Sequence, residues 1–157
     1  MASQRTYTIP FRGVSVSAVQ DLCAAYCGAS MAIEIVSITI GQITQTTVEN
    51  LNISIKHLPA AVSAGSGGGS VTPVADNPTD AAATFTARIN DTSQATTGGT
   101  ANYPHVDVFN EVNGYQWIFP ERARPSAKLS EALVLSLDTA PGAARTMSGS
   151  IKIRELF

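Results

Sequence analysis

Three groupings in this chain carry residue types at spacings that could do chemistry. His105 and Asp107 lie two apart in an alternating run, so on a strand they share a face, where an imidazole and a carboxylate supply half of a metal site. Two ligands do not make a site, and Asp107 shares that face with Phe109 and Glu111, where it can simply be solvated. Ala64-Gly-Ser-Gly-Gly68 has some letters of a nucleophile elbow, but no strand leads directly into it. Without a following Lys-Ser/Thr or an opening helix it is also a poor phosphate cradle. Cys23 and Cys27 are the only cysteines. On a strand their Cα atoms would stand about 13 Å apart, too far for a mutual disulfide, and one CxxxC pair supplies too few zinc ligands. Small buried thiols are the reading, with cross-links to neighbouring subunits as the alternative. His57 continues the apolar face of Ile53 and Ile55 and reads as a hydrogen-bonded residue at a core edge. Glu121 and Glu131 have no catalytic spacing. The expectation is no enzyme, no catalytic residue, no metal and no cofactor.

Trp117, Tyr115 and Tyr103 form the strongest small-ligand candidate, a stacking platform for sugars. The competing reading is core packing, since Tyr115, Trp117 and Phe119 share one strand face. Arg122 and Arg124, just before Pro125, could pair with acids on a neighbouring subunit.

Elements able to position these groups are almost all strand-like. Met31–Ile40 is β-branched, apolar on both faces in its middle and stopped by Gly41, which predicts a central strand. Leu51–His57 alternates, with Ile53 and Ile55 on one face against Ser54 and Lys56 on a wet one. Ala83–Ile89, Ala132–Leu137 and Ser148–Leu156 are further strands. His105–Pro120 reads as a hairpin turning at Asn113-Gly114, because that pair tolerates the positive φ values of a type I′ turn. Val19–Cys27 fits a short helix or a strand. Thr6–Phe11 alternates but contains Pro10, which removes a ladder donor and places the run at a sheet edge or in an extended arm. Leu58–Asp80 and Thr92–Asn102 are long Gly-, Pro- and Ser-rich loops. Loops of such length are functional or mobile. The sum is an all-β, antiparallel β-sandwich of jelly-roll type with about eight strands. An extended N-terminal arm occupies residues 1–13, and a single domain occupies 14–157 with the 58–80 loop inside it.

The chain has 157 residues, enough for one well-filled domain. Ten Lys and Arg against 12 Asp and Glu leave a charge of -2, which gives no reason to expect nucleic acid or an anionic membrane. Only 14% of residues are charged, against about 25% in ordinary domains. A neutral surface of small residues suits a protein packed into an assembly, and secreted β-proteins equally. The opening Met-Ala-Ser-Gln-Arg-Thr-Tyr lacks a basic segment followed by an apolar run, so the expectation is a protein kept in the cytosol or released by lysis. Asn52-Ile-Ser and Asn90-Asp-Thr are then strand and turn chemistry rather than glycan sites.

A set of local patterns resembles the small structural proteins of tailed bacteriophages that accompany capsid genes. These are Arg5-Thr-Tyr-Thr, Gln20-Asp-Leu, Ile35 to Gln42, the Gly-Ser loop leading to Thr72-Pro73, Asp80-Ala-Ala-Ala-Thr-Phe-Thr-Ala87, Thr97-Gly-Gly-Thr100, Gly114-Tyr-Gln-Trp117, Pro120-Glu-Arg and Thr146-Met-Ser-Gly149. The resemblance is one of pattern and spacing along the whole chain, and Cys23 and Cys27 depart from it. It implies a head decoration or cement protein: a β-sandwich homotrimer on the capsid surface of the virion, bridging capsomers and touching the major capsid protein and copies of itself. On that reading the partner contacts are the arm residues Arg5, Tyr7, Ile9, Phe11 and Arg12, together with Arg122 and Arg124. A carbohydrate-binding or host-attachment module, or a neck or tail component, is the alternative.

Overall fold

The computed structural model describes residues 4–44 and 48–157. Two antiparallel sheets pack face to face. The first contains β1 (Thr6–Val16), β3 (Ala32–Gln42), β6 (Val74–Ala75), β9 (Tyr115–Ile118), β10 (Ser126–Ala127) and β12 (Arg145–Leu156). The second contains β2 (Gln20–Tyr26), β4 (Asn50–Leu58), β5 (Gly69–Val71), β7 (Thr86–Asp91), β8 (Asn102–Asn110) and β11 (Ala132–Leu137). Their orders are β10-β3-β12-β1-β6, with β9 also on β3, and β5-β7-β2-β11-β4-β8. The all-β sandwich predicted from alternation is therefore the fold.

Alternation explains the layers. Ile33, Ile35, Ile38 and Ile40 of β3, Ile151 and Ile153 of β12, and Ile53 and Ile55 of β4 turn inward into one cluster with Leu133, Leu135 and Leu137 of β11. Each such side chain contributes about 1.5–3 kcal/mol when fully buried. β3 is central, with β12 on one side and β9 and β10 in tandem on the other. Val19–Cys27 resolves as strand rather than helix: β2 lies between β7 and β11 and is buried along nearly all its length.

Four expectations are corrected. Residues 1–3 of the expected N-terminal arm lie outside the described residues, and the described part of it is not a separate piece. Residues 6–16 form one strand, paired with β12 from Thr6↔Arg154 to Val16↔Arg145, and Gly13 only marks a bulge at φ 61. Pro10 is tolerated because β6 covers β1 only at Tyr7 and Thr8, so the missing donor is not needed on that side.

The hairpin at Asn113-Gly114 is a crossover instead. β8 pairs with β4 and β9 pairs with β3, in different sheets. Gly114 has φ 70, but Asn113 is not among the residues of positive φ, so no type I′ turn forms.

The two long loops are a packed layer. Ser63 bridges to Thr96 and Ser66 to Ser93 over the outer face of the second sheet. That layer encloses a small second core of Ala24, Leu58, Ala95, Ala132 and Val134. Glycines at 65 and 68 permit the approach: a Cβ at Gly68 would stand 2.0 Å from the Ile89 carbonyl oxygen, and one at Gly65 2.7 Å from that of Ser93. The same cover corrects the wet face of β4, since Ser54 and Lys56 are buried beneath it.

Candidate interaction edge of β8 and β9

The sequence-derived contact residues separate on inspection. Tyr7, Ile9 and Phe11 belong to the core and cannot meet a partner, because the alternation of β1 points all three toward the second sheet. Tyr7 stacks edge-on against Phe85, and its hydroxyl donates to the Ala81 carbonyl at 2.8 Å. Arg124 is spent within the chain, 2.7 Å from the Glu34 carboxylate, which Arg154 also grips at 2.5 Å. Arg5 lies 4.0 Å from Glu155 and over the ring of Phe157. Arg12 and Arg122 remain exposed.

The cysteines are buried free thiols. Burial pushes the Cys27 thiol up to about 12 and Cys23 further still, so neither offers a thiolate for cross-linking to a neighbour. His57 is hydrogen-bonded to Glu131 at 2.7 Å at the edge of the core, as its position on β4 predicts. Among the described residues no group of three metal-ligating side chains occurs, and no helix is long and apolar enough to cross a membrane.

What the structure does bring together is a seam where the two sheets meet at one side of the sandwich. His105, Asp107 and Phe109 come from β8, and Tyr115, Trp117 and Phe119 from β9 and the residue after it. The Tyr115 hydroxyl donates to Asp107 Oδ2 at 3.0 Å. That uses its only proton, so His105 Nε2–H donates to the Tyr115 oxygen at 2.7 Å. Asp107 Oδ1 accepts the Val108 amide at 2.7 Å. The His105 ring sits 5.4 Å from Trp117 at a 30° tilt and edge-on to Phe119 at 5.0 Å.

Partial burial lowers the His105 pKa, with Asp107 opposing the shift, so the imidazole is neutral near pH 7. Burial first, then the hydrogen bond and charge of Asp107, raises that of Tyr115, which leaves a neutral phenol and no base. These groups lock the two sheet edges together. Behind them Arg145, fully buried, grips Glu111 at 2.9 Å and fixes the crossover from β8 to β9.

Outside this seam the edge is apolar and open. Tyr103 is 56% exposed, Val106 62%, Val108 55%, Trp117 42% and Ile118 66%. Trp117 is thus half open, while the core-packing reading holds for Phe119, which is buried, and for Tyr115, which is partly buried and packs against the core. β8 is nine residues long and, among the described residues, pairs only with β4. No Lys or Arg occurs from Ala101 to Pro120, a signal available in the sequence that periodicity alone does not use.

A rival site is the cavity of about 670 Å³ at the other side, lined by Tyr26, Cys27, Val71, Phe85, Arg88 and Glu131 among others. Its charged groups are already engaged: Arg88 makes two bonds to Asp91, and Glu131 holds His57 and the Lys128 amide. No protein-family model, curated protein or solved structure matches the chain.

Proposed function

We propose that this protein is a non-enzymatic structural component of a tailed-phage particle, a head decoration or cement protein that joins capsomers through its β8/β9 edge. The observation that carries this reading is the edge itself: β8, nine residues long and paired on one side only, and β9 across the seam from it, with Val106, Val108, Trp117 and Ile118 open to solvent and no lysine or arginine in either strand. Soluble monomers guard such edges with charge, proline or short strands; this one has Pro104 but no cation, and its exposed valines, tryptophan and isoleucine form an apolar patch of the kind kept for a partner. The strand orders β1-β12-β3-β9 and β2-β11-β4-β8, with the chain changing sheet at every step among these strands except β4 to β8, support the jelly-roll reading, an architecture of viral capsid and lectin domains. The partners would be the major capsid protein and further copies of this chain. The place of action would be the capsid surface, after synthesis in the host cytoplasm.

Half-open Trp117 on His105, with Tyr103 along the same strand, favours a second reading: a host-attachment module that stacks a sugar ring. Co-sedimentation with heads lacking the protein separates the two. The first reading expects binding to heads that Ile118→Lys abolishes and no response of tryptophan emission to sugars. Binding indifferent to the edge, or confined to necks and tails, contradicts it. A saturable emission change with a sugar supports the second.

A further inference from the structure

The geometry points to a specific occupant for β8: the β8 strand of a second copy of this chain, paired antiparallel about a twofold axis through Val106. The inference does not need the virion reading, because it concerns the isolated protein.

The pairing register follows from the side chains. In an antiparallel pair, directly opposite residues point to the same side. Along β8, Pro104, Val106 and Val108 face outward, and His105 and Asp107 face the seam. An axis at Asp107 would set Asp107 against Asp107 of the second copy, like charges directly opposite, which is destabilising. An axis at His105 would set two imidazoles opposite each other and leave Val108 facing Asn102. With the axis at Val106, Val106 meets itself, Val108 meets Pro104, and Asp107 meets His105. The central outward pairs are then apolar, Asn102 meets Asn110 at the ends, and no acid faces an acid. Pro104 lacks a donor two residues from the axis and the Val108 amide is held by Asp107, so the pair is joined at its centre, through Val106 of each copy, and by the valines it covers. Val106 and Val108, more than half exposed in the single chain, are covered.

Twofold closure also suits the molecule better than a ring. A ring needs two different complementary patches. The opposite side of the sandwich ends in β5 and β6, three and two residues long and separated by Thr72-Pro73, with Pro10 in the open part of β1. That side offers no comparable ladder, whereas β8 is complementary to itself. Trp117 and Ile118, which lie on the other sheet, stay available to a different partner.

Cysteine cross-linking tests the register. Across the twofold axis the Val106 Cα atoms lie about 4.5–5.5 Å apart, within disulfide range. Those of Val108 lie about 14 Å apart, outside it. Both native thiols are buried and give little background. The full chain carrying Val106→Cys should form a covalent dimer on mild oxidation, and Val108→Cys should not. Sedimentation of the unaltered chain should show a dimer of 16.4 kDa subunits growing with concentration, and Val106→Lys should be monomeric with an unchanged β-sheet circular dichroism spectrum. A trimer, a monomer at the highest soluble concentration, or cross-linking through Val108→Cys in place of Val106→Cys would overturn the proposal.

Discussion

Along one side of the sandwich the sheets finish in β5 and β6, short strands broken by Pro73 and backed by the bulged, proline-containing β1. Along the other they finish in β8, nine residues long, and in β9, with valine, tryptophan and isoleucine facing water. The first side is finished by covalent and steric means: Pro10 and Pro73 withhold donors, Gly13 bends the strand, and Lys152 pairs with Asp76 beside β6 at 2.9 Å. The second is guarded more lightly: Pro104 withholds one donor and Asp107 holds the Val108 amide, but no lysine or arginine stands on it, and its polar groups, His105, Asp107 and Tyr115, bind one another across the seam rather than solvent. The difference shows that long, apolar, lightly guarded edge is a local property in this fold, belonging to the elements on either side of the Glu111–Gly114 crossover.

Stability should reside on the guarded side. Phe11→Ala removes a fully enclosed ring of β1 and should cost about 3–5 kcal/mol in denaturant unfolding. A loss under 1 kcal/mol would return residues 6–11 to the status of an arm. Gly68→Ala should cost about 1–3 kcal/mol, because its Cβ meets the Ile89 carbonyl oxygen at 2.0 Å and the loop layer must shift.

A smaller effect follows from the seam. The His105 pKa lies below its ordinary 6.5 in the folded state, so protons bind the unfolded chain more readily. The stability this contributes is present above about pH 6.5 and declines as pH falls below it. The loss on acidification from about pH 7.5 to 5.5 should therefore be smaller in His105→Gln than in the unaltered chain. An equal loss would remove the imidazole from the account. The smallest change belongs to the open edge: Val106→Lys or Ile118→Lys should alter monomer stability by no more than about 0.5 kcal/mol. A large cost there would mean the edge is structural.

Much of the fold was legible because β3, β4, β11 and β12 carry period-2 or doubly apolar runs that admit one burial pattern. Where reading failed, the deciding interaction was distant in sequence. Asn113-Gly114 signals a hairpin locally, but β8 and β9 find better partners in β4 and β3, and the buried Arg145–Glu111 pair holds the turn between sheets. Pro10 argues for an arm only if the strand needs a donor on that side, and β6 stops at Thr8's partner. The Gly65–Gly68 glycines resemble a flexible tether until Asp91 and Ser93 are seen packed against them. Lys56 reads as solvent-facing until Asp21 and Asp138 close over it at 3.7 and 3.9 Å. For the site, the aromatic residues were visible, but their exposure was not: Tyr115, Trp117 and Phe119 share one face, and only a seam at the sheet edges makes that face graded from buried to open.

The comparison of the two sides rests most directly on backbone hydrogen exchange, measured in dilute protein and again in its assembled state. The account predicts slowed exchange on assembly across residues 102–110 and 115–118, with 69–75 unchanged. Protection appearing at 69–75 instead, or at neither edge, would contradict it.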